Sequence, residues 1–265
     1  MALFTVIEGS DACGKTTQVK LLVQKLQESG LCTVEMSFPR YATVVGNAIS
    51  KHLKGTIQLT DTVVGNAISN HLKGTIQLTD TNVSVIHKYP QIEGVRAEED
   101  GLVFQALQTM DKYEAAADIL VHLKQGTNVV SSRWWQSAIV YGADMGLDLN
   151  NLTKVHALLP RADLNVLIWL PEAETKARRP DMRDWIEKDS ERQHRVREAY
   201  RQMWAERGSA LSAGSHGRRP REDFEGNYWL VVDGRDDESQ VHGKIWKAYL
   251  SILEKRSQVQ RSVGS

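Results

Sequence analysis

Gly9-Ser10-Asp11-Ala12-Cys13-Gly14-Lys15-Thr16-Thr17 is the stretch on which the fold of this chain turns. It fits the pattern G-x-x-x-x-G-K-[ST], and its neighbours suit it. Leu3-Phe4-Thr5-Val6-Ile7, just before, is short, apolar and partly β-branched, which reads as a buried strand. Thr17 to Gln27, just after, sets Val19, Leu22, Val23 and Leu26 at helical spacing, with Gly30 beyond as a stop. Strand, glycine loop and helix together turn successive backbone N–H groups and a helix N-terminus toward a phosphate chain. The pattern therefore implies binding of a nucleoside triphosphate. The candidate residues are Gly9, Ser10, Ala12, Cys13, Gly14, Lys15, Thr16 and Thr17. Lys15 would reach the β- and γ-phosphates, and the Thr16 hydroxyl would sit on Mg²⁺.

The 265 residues could form one large α/β domain or two small ones. A formal net charge of zero argues against bulk electrostatic attraction to nucleic acid or to an anionic membrane. No apolar run reaches the roughly 18 residues of a membrane span. The chain starts a strand almost at once, so no signal peptide is expected. Two cysteines, Cys13 and Cys32, are too few for a disulfide scaffold or a thiolate zinc site. The expected setting is a reducing cytoplasm.

Thr33 to Phe38 reads as a second strand, closed by Pro39 and Arg40. An unusual passage follows. Thr43 to Asp61 and Thr62 to Asp80 are adjacent 19-residue copies that differ only at Lys51 against Asn70. At about 100° per residue, 19 residues turn a continuous helix by about 100° net, so the two copies could not share one buried face. The expected arrangement is helix–loop, helix–loop, with one copy seated and the other extruded as a tolerated insertion. Either copy is chemically able to take the seat.

Glu98 to Leu123 follows as a long helix, and Thr127 to Ser131 as a strand. Trp134 to Gly146 and Asn151 to Leu159 read as helices, and Leu164 to Leu170 as a core strand. Glu172 to about Arg207 is charged and mostly helical, and residues 209–221 form a flexible loop rich in Gly, Ser and Arg. Tyr228 to Asp233 is a last strand, with a last helix from about Glu238 to Leu253. Strands alternating with helices predict an α/β fold, a parallel sheet with helices on both faces.

Several stretches in serial order resemble thymidylate kinases, a family of P-loop nucleoside-monophosphate kinases. They are Ile7-Glu8-Gly9 leading into the loop, Phe38-Pro39-Arg40, and the helix Thr43-x-x-Gly46-x-x-Ile49. Ser132-Arg133-Trp134 with Ser137, Tyr141-Gly142, and Leu170-Pro171-Glu172 complete the set. The likeness covers nearly the whole chain apart from the duplication and the loop at 209–221. It implies a three-layer P-loop kinase fold as a single domain over 1–256, with a small helical lid at about 174–188 and a disordered tail at 257–265. The implied reaction passes the γ-phosphate of ATP to dTMP, with Mg²⁺, in a homodimer.

On the acceptor side the resemblance assigns Asp11 to the sugar 3′-hydroxyl, Arg40 to the acceptor phosphate, and Phe104 to stacking on the base. An aromatic at that spacing serves equally as core. Gln105, Gln108 and Lys112 lie near the same helix face as base readers, Lys112 standing near where relatives commonly carry an arginine. Tyr141 would pack beneath the deoxyribose, with Ser137 nearby. Arg133 matches the arginine that bridges donor and acceptor. Ala12 occupies the place of a P-loop arginine found in some members, so Arg178, Arg179 and Arg183 of the lid become the candidates for the transferred phosphate.

One departure stands out. The family usually has Asp-Arg where this chain has Ser132-Arg133. A serine can hold a metal-bound water but brings no charge, so either turnover falls or Glu8 or Asp11 compensates. The open alternatives are another or modified deoxynucleoside monophosphate as acceptor, such as 5-hydroxymethyl-dUMP, and a nucleotide-binding protein with weakened catalysis.

Overall fold

The computed structural model describes residues 1–54, 100–178, 189–207 and 220–263. The second repeat copy, Arg179, Arg183 and most of the loop at 209–221 lie outside the described residues. Six strands form one sheet in the order β2-β3-β1-β4-β6-β5. They are β1 (Phe4–Glu8), β2 (Thr33–Ser37), β3 (Asn128–Ser132), β4 (Leu164–Trp169), β5 (Arg221–Glu222) and β6 (Tyr228–Asp233). All neighbours are parallel except the two-residue edge strand β5, which runs antiparallel to β6 and had no sequence signal. The expected α/β class with a largely parallel sheet is what the chain adopts.

Every residue of β1 is buried, because the strand is central and covered on both faces. Side chains alternate between those faces with the period of two that a strand imposes. Phe4 and Val6 enter one core with Val129, Leu167, Trp229 and Val231. Leu3 and Ile7 enter the other with Val130, Val166, Ile168, Leu230 and Val232. Helices α1 (Lys15–Glu28) and α8 (Glu238–Val263) cover the second core. Helices α3 (Asp100–Lys124), α4 (Trp135–Asp144) and α7 (Ser190–Glu206) cover the first. Three layers result. Helix α8 continues to Val263, ten residues beyond the expected end at Leu253 and into the stretch expected to fray.

The first repeat copy supplies α2 (Val44–Leu53), whose N-cap Thr43 accepts a hydrogen bond from the Gly46 amide at 3.0 Å. This helix packs on α3, burying Val45, Gly46, Ile49 and His52, the last with its ring 5.2 Å from that of Phe104. A side chain at Gly46 would sit 1.9 Å from the Arg40 carbonyl oxygen, so only glycine allows this approach. Lys51, the position where the copies differ, is exposed. Two short helices, α5 (Leu149–Val155) and α6 (Glu172–Arg178), follow α4 and β4. Among the described residues, no helix is long and apolar enough to cross a membrane.

Candidate active site

Chain reversal at the end of β1 builds the first wall. Gly9 has φ of 143°, and a β-carbon there would meet the Ile168 carbonyl oxygen at 2.6 Å and the Cys13 sulfur at 2.7 Å. Glycine alone lets the loop fold this tightly against β4. Helix α1 then starts from Gly14, with φ of 98° and no side-chain cap, so its first amides keep no intramolecular acceptor from a cap. An uncapped N-terminus is an anion seat. Lys15 Nζ spans the loop, donating to the carbonyl oxygens of Gly9 at 3.0 Å and Ser10 at 2.6 Å.

A cavity of about 540 Å³ opens over this loop and against the ends of β2 and β3. Its wall gathers Asp11, Ala12, Gly14, Lys15, Thr16 and Thr17 from the loop side, and Ser132, Arg133, Ser137 and Tyr141 from the β3–α4 side. Helix α3 contributes Phe104, Gln105, Gln108 and Lys112, and α6 contributes Arg178. Gly9, Ser10 and Cys13 are buried and shape the loop without forming the wall. Residues from well-separated stretches of sequence thus meet in one place.

Arg133 is the hinge of the arrangement. Its φ of 67° is left-handed, a conformation that costs a side-chain-bearing residue about 1–2 kcal/mol. Three bonds hold the bend. The Arg133 amide donates to Ile7 O at 3.0 Å, the Ser131 hydroxyl donates to Arg133 O at 2.7 Å, and the next amide, Trp134, donates to the Glu8 carboxylate at 2.8 Å. The bend turns the guanidinium back over the cavity, where it pairs with Asp11 and donates to Ser137 Oγ at 3.3 Å. Tyr141 OH donates to the other Asp11 oxygen at 3.1 Å. Burial alone would raise the Asp11 carboxyl, but Arg133, then Lys15 and the hydrogen bond from Tyr141, outweigh it and hold the group below its usual value. Asp11 is therefore a carboxylate at neutral pH.

Glu8 is not available as a substitute for the missing aspartate. It is fully buried and accepts from Trp134 N, Ser137 N at 3.2 Å, Ser137 Oγ at 2.7 Å and Tyr200 OH at 2.8 Å. Its carboxylate anchors the start of α4 beneath the site. Asp11, the other candidate, is already shared by Arg133 and Tyr141. Ser132, 6% exposed, lines the cavity without a charge.

Arg40 does not reach the cavity wall. Its guanidinium bonds the buried Asp111 carboxylate at 2.9 Å and Glu114 at 3.0 Å, and its amide donates to the second Asp111 oxygen at 3.0 Å. The three contacts clamp the end of β2 to α3 and direct the guanidinium to carboxylates of that helix. Lys112 stands on the wall instead. Phe38, Tyr41 and Leu53 also line the cavity. Sequence reasoning missed Tyr41 and Leu53, although each adjoins or lies within a motif already singled out. Arg178 lines the wall and donates to Gly234 O at 2.6 Å.

A family model for thymidylate kinases matches residues 7–78. A probable thymidylate kinase of Thermococcus gammatolerans is 30% identical over 205 residues, 76% of this chain and 82% of that protein. One from Pyrococcus horikoshii is 28% identical over 203 residues, 74% of this chain and 80% of that protein. The solved thymidylate kinase of Candida albicans aligns over 97% of this chain and 92% of its own, with a TM-score of 0.62 at 19% identity, a likeness of fold.

Proposed function

The chain belongs to the thymidylate kinase family, and from that premise we propose that it transfers the γ-phosphate of ATP to dTMP, giving ADP and dTDP. The observation that carries this reading is the cavity. Its wall joins an uncapped helix N-terminus and Lys15 to Phe104, Gln105 and Gln108 of α3 and to Arg133, room for a donor and an acceptor in this proposal.

An oxygen of the acceptor phosphate attacks the γ-phosphorus. The bond from that phosphorus to the β–γ bridging oxygen breaks, and ADP keeps the electron pair. Such a transfer needs alignment and charge neutralisation more than covalent help. The Lys15 ammonium and the first amides of α1 hold the donor phosphates. In this proposal Arg133, fixed by the bonds of its bend, bonds both donor and acceptor oxygens. Asp11 then accepts a hydrogen bond from the acceptor's 3′-hydroxyl, and Phe104 stacks on the base. Arg178 is the described lid residue that reaches the cavity, and Arg179 and Arg183 share its role in this proposal.

Thr16 and Ser132 offer hydroxyl oxygens, a hard donor set that suits Mg²⁺ when phosphates and water complete the shell. Among the described residues, no group of three or more His, Cys, Asp or Glu could cage a metal. The ion would neutralise charge on the β- and γ-phosphates. A homodimer belongs to the same proposal, and sedimentation at micromolar concentration tests it.

A coupled ADP-release assay with Mg-ATP and dTMP, dUMP, 5-hydroxymethyl-dUMP, dCMP, dGMP and dAMP tests the substrate. Preferential turnover of dTMP is expected. Selective turnover of another monophosphate would move the acceptor and keep the chemistry. A second reading, a nucleotide binder with slow transfer, draws on Ser132 together with the engaged state of Glu8 and Asp11. Under that reading all six acceptors stay near background while ATP still binds, and Ser132→Asp raises turnover tenfold or more.

A further inference from the structure

Lys112 is the anomaly of the cavity. It is 1% exposed, it lines the wall, and among the described residues no carboxylate bonds it. Its Nζ donates to Gln108 O at 3.0 Å and Gln108 Oε1 at 3.4 Å, and lies 5.8 Å from the centre of the Phe38 ring. A buried ammonium is costly without an opposing charge. A neutral amide and a ring face offset that cost only in part.

Charged groups approach this amine from several elements. Asp111 neighbours it on α3 but is taken by Arg40, and Glu8 of β1 is taken by Trp134, Ser137 and Tyr200. Arg133 at the end of β3 and Arg40 after β2 are both cations that oppose its charge. His156, just after α5, lies in the same field, but burial pushes it down to about 3, so it stays neutral. Burial, reinforced by the two arginines, draws the Lys112 ammonium down to about 8, with Asp111 and Glu8 resisting.

We propose that Lys112 is the acceptor-phosphate seat of this chain, taking with Arg133 the dianionic 5′-phosphate of the nucleoside monophosphate in place of Arg40. This rests on the monophosphate-kinase reading above. A base carbonyl can accept a hydrogen bond from Lys112 but brings no charge to offset its burial. A phosphomonoester, with its second pKa near 6, is a dianion at pH 8 and does both. Two cations sharing one field, the buried Lys112 and the half-buried Arg133, fit that charge.

A proton is therefore linked to acceptor binding. Below about pH 8 the seat is charged and ready. Above it the free amine is neutral, so the entering phosphate must draw a proton from solvent, and affinity falls as pH rises.

Calorimetry on the full chain at pH 8, in two buffers of different protonation heat, reads this directly, with dTMP and thymidine as probes. The expected result is uptake of up to about half a proton with dTMP, since the free amine sits at about 8, and none with thymidine. Lys112→Met should abolish the uptake and weaken dTMP tenfold or more, with thymidine changed less than twofold. Lys112→Arg, always charged, should keep most of the dTMP affinity without proton uptake and flatten its pH dependence.

Uptake that persists in Lys112→Met overturns the proposal. So does equal weakening of dTMP and thymidine, which would place the lysine on the base or in the scaffold. Should Lys112→Met fail to fold, Lys112→Arg decides alone through the uptake. If another monophosphate is the acceptor, it and its nucleoside replace the two probes. If no monophosphate binds while ATP does, the kinase reading itself fails, and the seat fails with it.

Discussion

Arg133→Met should lower kcat by about 10³-fold while ATP binding changes little. The donor end keeps its other holds without this residue, since Lys15 is held by Gly9 and Ser10 and α1 starts from Gly14. The lost guanidinium would leave Asp11 with Tyr141 as its remaining bonded partner. The acceptor's KM should therefore rise as well, because Asp11 loses both charge balance and orientation. Arg133→Lys keeps a charge but cannot bond Asp11 and Ser137 from one planar fork, so it should recover only part of the rate. Steady-state kinetics with saturating Mg-ATP checks this. A kcat within tenfold of the unchanged chain would remove Arg133 from the reaction.

The largest stability effect is expected at Glu8. Glu8→Ala strands two backbone amides, Trp134 and Ser137, together with the hydroxyls of Ser137 and Tyr200, all on buried residues. Each orphaned polar group costs about 1–3 kcal/mol, and partial re-pairing of the two hydroxyls brings the sum to about 3–5 kcal/mol. For a chain of this size that corresponds to a fall of about 10 °C in Tm. Activity should drop further than stability explains, because the Trp134–Glu8 bond is one of three that hold Arg133 in its left-handed bend. Glu8→Gln retains an acceptor and should cost less than half as much. Thermal melts of both variants beside turnover below the melting range test the pair. A Tm within about 2 °C for Glu8→Ala would show that the anchor is dispensable.

Much of this was legible in the sequence because it is local. The loop from Gly9 to Thr17 declares its own turn, helix start and phosphate chemistry, and the β-branched runs of β1, β3, β4 and β6 declare a covered sheet. Residues that gather on one cavity, such as Asp11 with Arg133 and Tyr141, were reached through serial motifs, since nothing local announces a contact between positions more than a hundred residues apart. Arg40 shows where that stops. Its position after β2 pointed to a phosphate, but the carboxylates of Asp111 and Glu114 that it pairs with lie on a helix some seventy residues later, beyond the reach of local pattern. Glu8 was visible as a motif residue, yet its work in holding α4 depends on donors from β3's far side and from α7. The edge strand β5 could not be read at all, because two exposed residues carry no pattern.

The buried side of α2 is written twice in the chain. Val45, Gly46, Ile49 and His52 reappear in order at Val64, Gly65, Ile68 and His71, and the single mismatch, Lys51 against Asn70, falls on a solvent-facing position. At the scale of one helix this is the situation a geneticist meets with paralogues: a lesion in one copy leaves an intact spelling of the same segment elsewhere. Since the sequence of either copy suits the seat, a screen that changes one residue at a time is expected to interrogate a segment with a spare. Tolerance at Gly46 in such a screen would measure redundancy and say nothing about the 1.9 Å approach that excludes a side chain there. Only paired lesions, or a gene shortened by residues 62–80, expose this helix to selection as a single element.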